Sequence, residues 1–204
     1  MDARDRLVEK LCESRELSAS TVAAMRAVPR HRFVPEPHRD AAYQDRPLPI
    51  GREQTISAPH IVAVMTDLLG LSPGDEVFEV GTGRGYHAAV TAEVVGAGNV
   101  YSAEYRDSLA QQAHDCLVAT GYAEVSVRTG DGREGWPEHA PYDRAYLTCA
   151  APMFPPAVVE QVRPGGQLLA PIGNGTQVLV HATKRADGSL RRTRKGRVRF
   201  VRLR

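Results

Sequence analysis

Three acidic residues stand in this sequence at points where buried strands are expected to end. Glu79 comes near the end of the apolar run EVFEV, Glu104 ends VYSAE, and Asp131 follows a third such run. Ligands of open α/β sheets bind outside the carboxyl ends of the strands, so these carboxylates would gather along one edge. There they can pair with an ammonium group or with hydroxyl groups. The three acids therefore predict a cofactor site at that edge.

A glycine-rich loop, EVGTGRGY over residues 79–86, begins at the first of these acids. Gly81, Gly83 and Gly85 let a ligand approach the backbone closely, because side chains there would block it. That much suits NAD, FAD or S-adenosylmethionine. The spacing GxGxG, unlike GxGxxG, offers no obvious cradle for a diphosphate, and the nearby carboxylate suits a cationic amino-acid group better than phosphates. These two features favour S-adenosylmethionine.

Each acid has an expected partner on that cofactor. Glu79 would face the cationic amino-acid group, and Glu104 would take both ribose hydroxyls in a bidentate pair. Asp131 would meet the adenine edge. Side chains from three successive strand ends would then hold one elongated ligand.

The elements that must position these residues alternate between strands and helices. Strands are expected over residues 76–80, 100–104, 125–128, 144–148 and 167–171, with helices over residues 59–69, 86–95, 108–120 and 155–162. Such alternation implies a mainly parallel sheet covered on both faces. The sequence therefore predicts an α/β fold with a Rossmann-like, doubly wound sheet.

The segments flanking this core have a different character. Residues 2–27 carry apolar residues at helical spacing, with Ser18 or Ser20 available to cap a second helix. Five prolines in residues 28–54 exclude regular helix and indicate an extended path over the surface. Two strands, over residues 176–183 and 197–203, are expected to be joined by the polar turn ADGS. We expect a single domain, residues 1–204, made of an N-terminal helical and loop extension (1–56), a Rossmann-like core (57–175) and C-terminal strands (176–204).

Length and composition restrict the class of protein. A chain of 204 residues suits one α/β domain with a full core. The sequence contains no run of about eighteen apolar residues, which is the length needed to span a membrane, and its charged N-terminus does not resemble an export signal. Cys12, Cys116 and Cys149 have no metal-ligand spacing. We therefore expect no metal site, reduced thiols and a cytoplasmic location.

Charge is distributed unevenly along the chain. Residues 184–204 hold ten Lys or Arg and one acid, Asp187, which gives +9, so the other residues sum to −7 within a total of +2. A basic tail can bind phosphates. However, its only aromatic residue is Phe200, and arginines alternating with Val, Phe and Leu are typical of an edge strand with a charged solvent face. We expect no nucleic-acid partner, and attraction of acidic peptide segments is a milder hypothesis.

Several segments together resemble the protein-L-isoaspartate O-methyltransferase family. They are VPRHRFVPE (28–36), AYQDRPLPIG (42–51), QTISAPH (54–60), EVGTGRGYHAAV (79–90), GDGREGWPEHAPYDR (130–144), VRPGGQLLAPIG (162–173) and VRFV (198–201). QTISAPH and GDG-x-x-GWP-x-x-APYD are distinctive of this family, whereas the glycine loop and the PGG turn occur in Rossmann-like methyltransferases generally. The resemblance implies a class I S-adenosylmethionine-dependent methyltransferase fold.

The resemblance also implies an activity: methyl transfer from S-adenosylmethionine, leaving S-adenosylhomocysteine, to the free carboxyl of L-isoaspartyl and D-aspartyl residues in damaged proteins. Ser57 matches the family's active-site serine. A carboxylate ionised at pH 7 needs no general base, so we interpret this hydroxyl as positioning the acceptor. A simpler interpretation makes Ser57 the N-cap of the helix that starts near Pro59, and both roles can coexist.

Further contacts follow from the same resemblance. Thr55 and His60 would contact the cofactor, and Ile56, Ser57 and Val201 the substrate, Val201 by pairing with a bound peptide as an added strand. The expected cofactor-binding residues are Thr55, His60, Glu79, Gly81, Thr82, Gly83, Gly85, Tyr86, Glu104, Tyr105, Asp131 and Gly132. The expected partners are isoaspartyl-containing peptides and proteins, without a membrane, and the chain is expected to act as a monomer.

Three residues depart from the family pattern. Glu53 replaces a small residue, and its carboxylate would oppose an anionic substrate unless it points to solvent or meets Arg52. Arg84, in the glycine loop, either faces solvent or attracts the substrate carboxylate, and Arg202 stands where proline is usual. These departures support an alternative, an enzyme that esterifies an aspartyl side chain in one dedicated partner peptide. A third hypothesis, a catalytically silent binding module, conflicts with the intact glycine loop and strand-end acids.

Overall fold

The computed structural model describes residues 2–203, and a sheet of seven strands runs through its centre. The strands within these residues are β1 (Leu48–Gly51), β2 (Gln54–Ile56), β3 (Val77–Val80), β4 (Val100–Glu104), β5 (Ser126–Thr129), β6 (Tyr142–Leu147), β7 (Val162–Ile172), β8 (Gln177–Lys184) and β9 (Leu190–Val198). The helices are α1 (Ala3–Ser14), α2 (Ala19–Ala27), α3 (Pro59–Leu68), α4 (Tyr86–Val95), α5 (Asp107–Ala119) and α6 (Pro156–Gln161).

The order of strands across the sheet is β5-β4-β3-β6-β7-β8-β9. The pairs from β5 through to β7 are parallel, and β7, β8 and β9 pair antiparallel. Successive strands move outward from β3 in one direction to β5 and then in the other from β6. This reversal creates the crevice in which ligands of doubly wound sheets bind. The predicted mainly parallel, Rossmann-like α/β fold is confirmed.

Both faces of the sheet are covered, as the alternation of side chains along β6 shows. Tyr146 packs into one buried cluster with residues of α1 to α5, whereas its neighbours Ala145 and Leu147 pack into a second cluster that includes Val158 of α6. Side chains along a strand point alternately to opposite faces, so the two clusters lie on opposite sides of the sheet. The core strands therefore have little contact with solvent.

The N-terminal extension agrees only in part with its prediction. Two helices form as expected, and Ser18 caps α2 by accepting from the backbone N–H of Thr21 at 3.3 Å. The expected surface path of residues 28–54 is wrong, because Phe33 and Leu48 within it are no more than 1% exposed and belong to the main core. Its prolines exclude long helices but permit short 3-10 turns, and the apolar residues between them pack inward.

The last predicted strand was placed too late. The expected strand over residues 197–203 is instead β9, Leu190–Val198, which follows the turn directly and forms a hairpin with β8. Residues 191–197 are all exposed, so β9 lacks the apolar alternation by which strands are recognised. Near residue 202 only an isolated bridge between Ala150 and Arg202 is present among the described residues.

Candidate functional site

Loops from four parallel strands meet at the carboxyl edge of the sheet and border an open cavity of about 590 Å³, a volume that includes space open to solvent. It is lined by Gly81 and Gly83 after β3, Tyr105 after β4, Gly132 after β5 and Thr148 after β6. The cavity lies beside β3, where the strand order reverses, which is the expected position of a ligand in an open α/β sheet. We call it the cofactor cavity.

The glycine loop can follow its path only because of its glycines. Gly81, Gly83 and Gly85 have φ values of 97°, 58° and 88°, a region that disfavours other residues. A Cβ atom on Gly81 would collide with Oγ1 of Thr148, and one on Gly85 would lie 3.0 Å from Cγ of Leu117 in α5. The loop is therefore pressed against its neighbours and presents backbone to the cavity.

Glu104 forms part of the wall of the cofactor cavity. Its Oε2 accepts from the N–H of Gly83 at 2.9 Å, and its Oε1 accepts from the N–H of Arg106 at 3.0 Å. Burial raises the pKa of this carboxyl, although its backbone hydrogen bonds oppose that effect. Each carboxylate oxygen has a second lone pair, so Glu104 can still accept from two hydroxyl groups. The structure thus brings Glu104 to the predicted place.

Glu79 lies deeper and contacts a smaller cavity of about 350 Å³ beneath the glycine loop, which Thr82 and Ser57 also line. The residue has no exposed surface. Ser102 Oγ donates to its Oε2 at 2.5 Å, and burial raises its pKa to about 7. Thr82 shares this network through a 2.5 Å hydrogen bond between its Oγ1 and Ser102 Oγ. A buried carboxylate thus adjoins the loop, as predicted for a cationic group.

The side chains of Asp131 and Tyr86 are engaged elsewhere. Arg133 holds the carboxylate of Asp131, with Nη2 donating to Oδ2 at 2.6 Å, and Gly132 rather than Asp131 lines the cofactor cavity. Tyr86 is 3% exposed, and its hydroxyl donates to Sδ of Met25 at 3.7 Å. Contact of Asp131 with the adenine edge stays a prediction, and the phenol of Tyr86 anchors the start of α4.

A second, larger cavity of about 1,020 Å³ adjoins the first. It is lined by Ser57, Ala58, His60 and Ile61 on one side and by residues 197–201 on the other. Thr55, Thr148 and Val201 line both cavities. We call this space the acceptor cavity. Its position allows a group beside Ser57 to approach a ligand in the cofactor cavity across these three shared residues.

Ser57 itself is not the N-cap of α3. The cap residue is Ala58, which makes no side-chain cap hydrogen bond. Asp45 supplies the missing acceptor, because its Oδ1 accepts from the backbone N–H of His60 at 2.9 Å and contacts Nδ1 of the same residue at 2.8 Å. The N-cap interpretation of Ser57 was therefore wrong, and its partly buried side chain is left to line the acceptor cavity.

Val201 already takes part in pairing within the chain. Its carbonyl accepts from the N–H of Ala150 at 2.7 Å, and the N–H of Leu203 donates to the carbonyl of Ala150 at 2.8 Å. A peptide added as a strand at Val201 would have to use backbone groups other than this carbonyl. Ile56 is 7% exposed, packs in the main core and lines the small cavity beneath the glycine loop.

The departures from the family pattern have local structural explanations. Arg84 donates from Nη1 to Oε1 of Gln112 at 2.6 Å and from Nη2 to Sγ of Cys116 at 3.4 Å, so it fastens the glycine loop to α5. Glu53 is exposed at the tip of the β1–β2 hairpin. Arg202 donates to the carbonyl of Asn174 at 2.8 Å and lines the cofactor cavity.

Sequence reasoning missed Thr148, which lines the cofactor and acceptor cavities and the small cavity beneath the loop. Its hydroxyl lies against the carbonyls of Val80 and Gly81, at 3.2 Å from the former. Position was the available signal, because Thr148 is the last residue of a predicted core strand, at the edge where the three acids lie.

The described part of the chain offers no helix long and apolar enough to cross a membrane. It also contains no group of three or more His, Cys, Asp or Glu side chains that could hold a metal ion.

The strand order, the glycine loop and the acids at the carboxyl edge define a Rossmann-like class I S-adenosylmethionine-dependent methyltransferase. Residues 2–204 match the family model described as protein-L-isoaspartate(D-aspartate) O-methyltransferase. The chain belongs to this family, as its sequence resemblance predicted.

Individual relatives agree with this assignment. Protein-L-isoaspartate O-methyltransferase 2 of Archaeoglobus fulgidus is 50% identical over 204 residues, which cover 100% of this chain and 93% of the relative. Protein-L-isoaspartate O-methyltransferase of Methanopyrus kandleri is 51% identical over 205 residues, with coverage of 98% and 91%. A solved protein-L-isoaspartate O-methyltransferase superimposes with a TM-score of 0.90 at 29% identity, covering 98% of this chain and 65% of that chain.

A Plasmodium falciparum relative, solved in complex with S-adenosyl-L-homocysteine, superimposes with a TM-score of 0.86 and covers 100% of this chain and 99% of that one. At 23% identity it supports the fold alone.

Proposed function

We propose that this chain transfers a methyl group from S-adenosylmethionine to the free carboxyl group of L-isoaspartyl and D-aspartyl residues in damaged proteins. The observation that carries the proposal is the junction of two cavities at Thr55, Thr148 and Val201. One cavity has a carboxylate suited to a ribose, and the other contains the hydroxyl of Ser57. A methyl donor and a carboxylate acceptor can therefore meet inside one site.

The residues of the cofactor cavity fit S-adenosylmethionine. Gly81 and Gly83 present backbone without a side chain to the cavity, and the buried Glu79 offers a carboxyl group close to the loop. We propose that Glu104 accepts from the ribose hydroxyls and that Tyr105 and Gly132 border the adenine, because both line the same cavity. When bound, this cofactor supplies an already activated methyl group.

Further cofactor contacts are proposed for the residues around this space. Thr55 lines the cofactor cavity directly, and Thr82 lies beneath the loop. His60 lines the acceptor cavity, so we propose that it acts at the boundary between the two ligands.

On the acceptor side, we propose that Ser57 donates a hydrogen bond to the substrate carboxylate and orients it. An ionised carboxylate needs no base, so the protein must only place it, exclude water and avoid a competing charge. His60 is turned to Asp45, at 2.8 Å, and does not form a nucleophilic pair with Ser57. Orientation and desolvation therefore account for the chemistry.

The alternative of a dedicated aspartyl methyltransferase rested on Glu53, Arg84 and Arg202. Glu53 is exposed on a hairpin tip, and Arg84 binds α5, so neither residue indicates a different acceptor. The relatives that share about half of the sequence bear the isoaspartate name. The repair activity is therefore favoured, and the retained strand-end acids disfavour a catalytically silent module.

An isoaspartyl peptide and its normal aspartyl twin provide the test. With S-adenosylmethionine, the isoaspartyl peptide alone should yield a base-labile methyl ester. Ser57→Ala should lower kcat at least about tenfold, as for a lost orienting hydrogen bond, while the Kd of S-adenosylhomocysteine measured by calorimetry stays unchanged. Ser20→Ala, on the exposed surface of α2, is the matched control. Equal methylation of both peptides would overturn the proposal.

We also propose that the protein acts as a monomer in the cytoplasm. The cysteines Cys12, Cys116 and Cys149 are free thiols, in keeping with a reducing compartment. The exposed edge strand β9 carries five basic residues, and like charges would oppose pairing with a second copy of itself.

A further inference from the structure

A row of unpaired cations follows β9 and its extension. The residues are Arg191, Arg192, Arg194, Lys195, Arg197 and Arg199, and all six are exposed. The ion pairs among the described residues lie elsewhere in the molecule, so no described carboxylate neutralises this row. We call the six residues the basic edge.

A β-bulge aligns three of these arginines. Arg192, Arg194 and Arg197 are the register partners of Ala182, Val180 and Val178, which alternate along β8. Directly opposed residues of an antiparallel pair point to the same face, so the three arginines share one face. Arg192 and Arg194 are two residues apart in sequence, whereas Arg194 and Arg197 are three apart. Lys195 is the extra residue, because the register shifts opposite it, between Leu179 and Val180 of β8. Without that extra residue, Arg197 would point to the opposite face.

The basic edge runs directly into the acceptor cavity. Arg197 and Arg199 line that cavity together with Ser57. At about 3.4 Å per residue, the row from Arg192 to Arg197 is roughly 15 Å long. An extended peptide whose reacting residue lies near Ser57 could therefore follow β9 for several residues.

We propose that the basic edge binds an acidic, extended segment that flanks the methyl-accepting residue of the substrate. This inference rests on the proposed function, because it concerns the substrate of the same cavity. β9 is the last strand of the sheet and can accept an added strand. Carboxylates at alternate positions of such a strand would face the aligned arginines.

Nucleic acid fits the basic edge less well. Single strands are usually held by aromatic side chains on which bases stack, in addition to charge. The aromatic residue closest in sequence, Phe200, is partly buried, packs against the main core and has its backbone N–H bound to Gln177 at 2.6 Å. The basic edge therefore offers charge without a stacking platform.

Two sets of three isoaspartyl peptides, which share one core and differ only in their flanks, test the inference. The flanks carry three Glu, three Gln or three Lys, placed on either side of the isoaspartyl residue in separate sets. For the better side, kcat/KM should rise about tenfold from Gln to Glu flanks at low salt, mainly through KM, and fall for Lys flanks. The gain should largely vanish near 0.5 M NaCl because salt screens exposed charges.

A variant that lacks three of its charges tests whether the basic edge causes the gain for Glu flanks. Arg191→Gln, Arg192→Gln and Arg194→Gln together should abolish most of the gain for Glu flanks and leave kcat/KM for Gln flanks unchanged, since none of the three lines the acceptor cavity. Lys10→Gln, Arg26→Gln and Arg32→Gln remove the same charge from the N-terminal segments, where α1 and α2 pack on each other and α2 on α3 and α4. This control should keep the full gain.

The outcomes separate the two proposals. If no isoaspartyl peptide is methylated, the proposed function fails. If the three peptides are methylated at equal rates in both sets, or if the gain survives in the β9 variant, the inference fails while the function stands. Inhibition by a single-stranded oligonucleotide that depends on the same three arginines, without any effect of peptide flanks, would assign the basic edge to nucleic acid and overturn the inference.

Discussion

Glu79 of β3 and Tyr146 of β6 are direct register partners in the central sheet, and the Tyr146 hydroxyl donates to Oε1 of Glu79 at 3.0 Å. Neither residue has exposed surface. Burial raises the pKa of Glu79 to about 7 and the pKa of Tyr146 well above its ordinary value. Tyr146 therefore remains a donor at all relevant pH values, while Glu79 changes its charge near neutrality.

The first prediction concerns cofactor affinity and pH. If Glu79 pairs with the ammonium group of the cofactor, only its ionised form binds well. With a pKa of about 7, the Kd of S-adenosylhomocysteine should rise about tenfold as pH falls from about 8 to about 6. Calorimetric titration across this range measures it. Glu79→Gln should bind weakly at every pH, and an unchanged slope in that variant would assign the effect to another group.

The second prediction concerns the stability that the folded protein loses when the carboxyl group of Glu79 ionises. The folded-state pKa of Glu79 lies above its ordinary value of 4.5, so the folded protein holds the proton more tightly than the unfolded chain. Stability is then lost as pH rises from about 4.5 through about 7. In the absence of cofactor, Glu79→Gln should raise the free energy of unfolding at pH 8 by up to about 3 kcal/mol.

Urea denaturation with and without S-adenosylhomocysteine checks this second prediction. The increase in the free energy of unfolding of the Glu79→Gln variant should shrink toward pH 4.5. When the ligand is present, this increase should be offset because the variant binds the ligand more weakly and is stabilised less by it. A variant less stable than the parent at pH 8 would contradict the buried-charge explanation.

The third prediction concerns Asp45, the acceptor at the start of α3. Asp45→Ala removes its hydrogen bonds to the backbone N–H and to Nδ1 of His60, at 2.9 and 2.8 Å, and should destabilise the protein by about 1–2 kcal/mol. Because α3 follows Ser57, KM for an isoaspartyl peptide should also rise. His60→Ala keeps the hydrogen bond from the backbone N–H of residue 60 to Asp45, so it should destabilise the protein less. Equal losses for the two variants would show that the backbone bond contributes little.

The fourth prediction concerns the hairpin between β1 and β2. Arg52 and Glu53 have φ values of 53° and 59°, the left-handed conformation that two-residue hairpin turns require and glycine adopts most easily. Arg52→Gly should therefore stabilise the protein by about 0.5–1 kcal/mol. Glu9→Gly, on the exposed side of α1, should instead destabilise by about 1 kcal/mol. Thermal denaturation of both variants provides the comparison.

The core of the fold could be predicted from the sequence because the patterns that indicate its strands are local. Apolar runs that carry Glu79 and Glu104 at or next to their last residue predicted both the strands and the edge at which these acids lie. β9 was placed wrongly because its exposed edge has no apolar alternation, and only its pairing with β8 makes it a strand. The role of Asp45 at α3 depends on a contact between residues fifteen positions apart, on either side of the β1–β2 hairpin, for which no local pattern exists.

The same limit applies to the site. Glu104 was placed correctly because ligands of open α/β sheets bind outside the carboxyl ends of the strands, and Glu104 stands at such an end. Thr148 also stands at a strand end, but the same argument was not applied to it. The engagement of Asp131 by Arg133 could not be inferred, since side-chain rotamers decide it. The binding of Arg84 to α5 depends likewise on a packing partner distant in sequence.

The wall shared by the two cavities has a kinetic consequence. Thr55 belongs to the N-terminal extension, Thr148 to the middle of the sheet and Val201 to the segment after β9. Contacts between residues so far apart in sequence require large loops to close and form late during folding. On refolding from denaturant, helical circular dichroism should therefore recover before methyl transfer does, and catalytic competence should mark the last step of assembly.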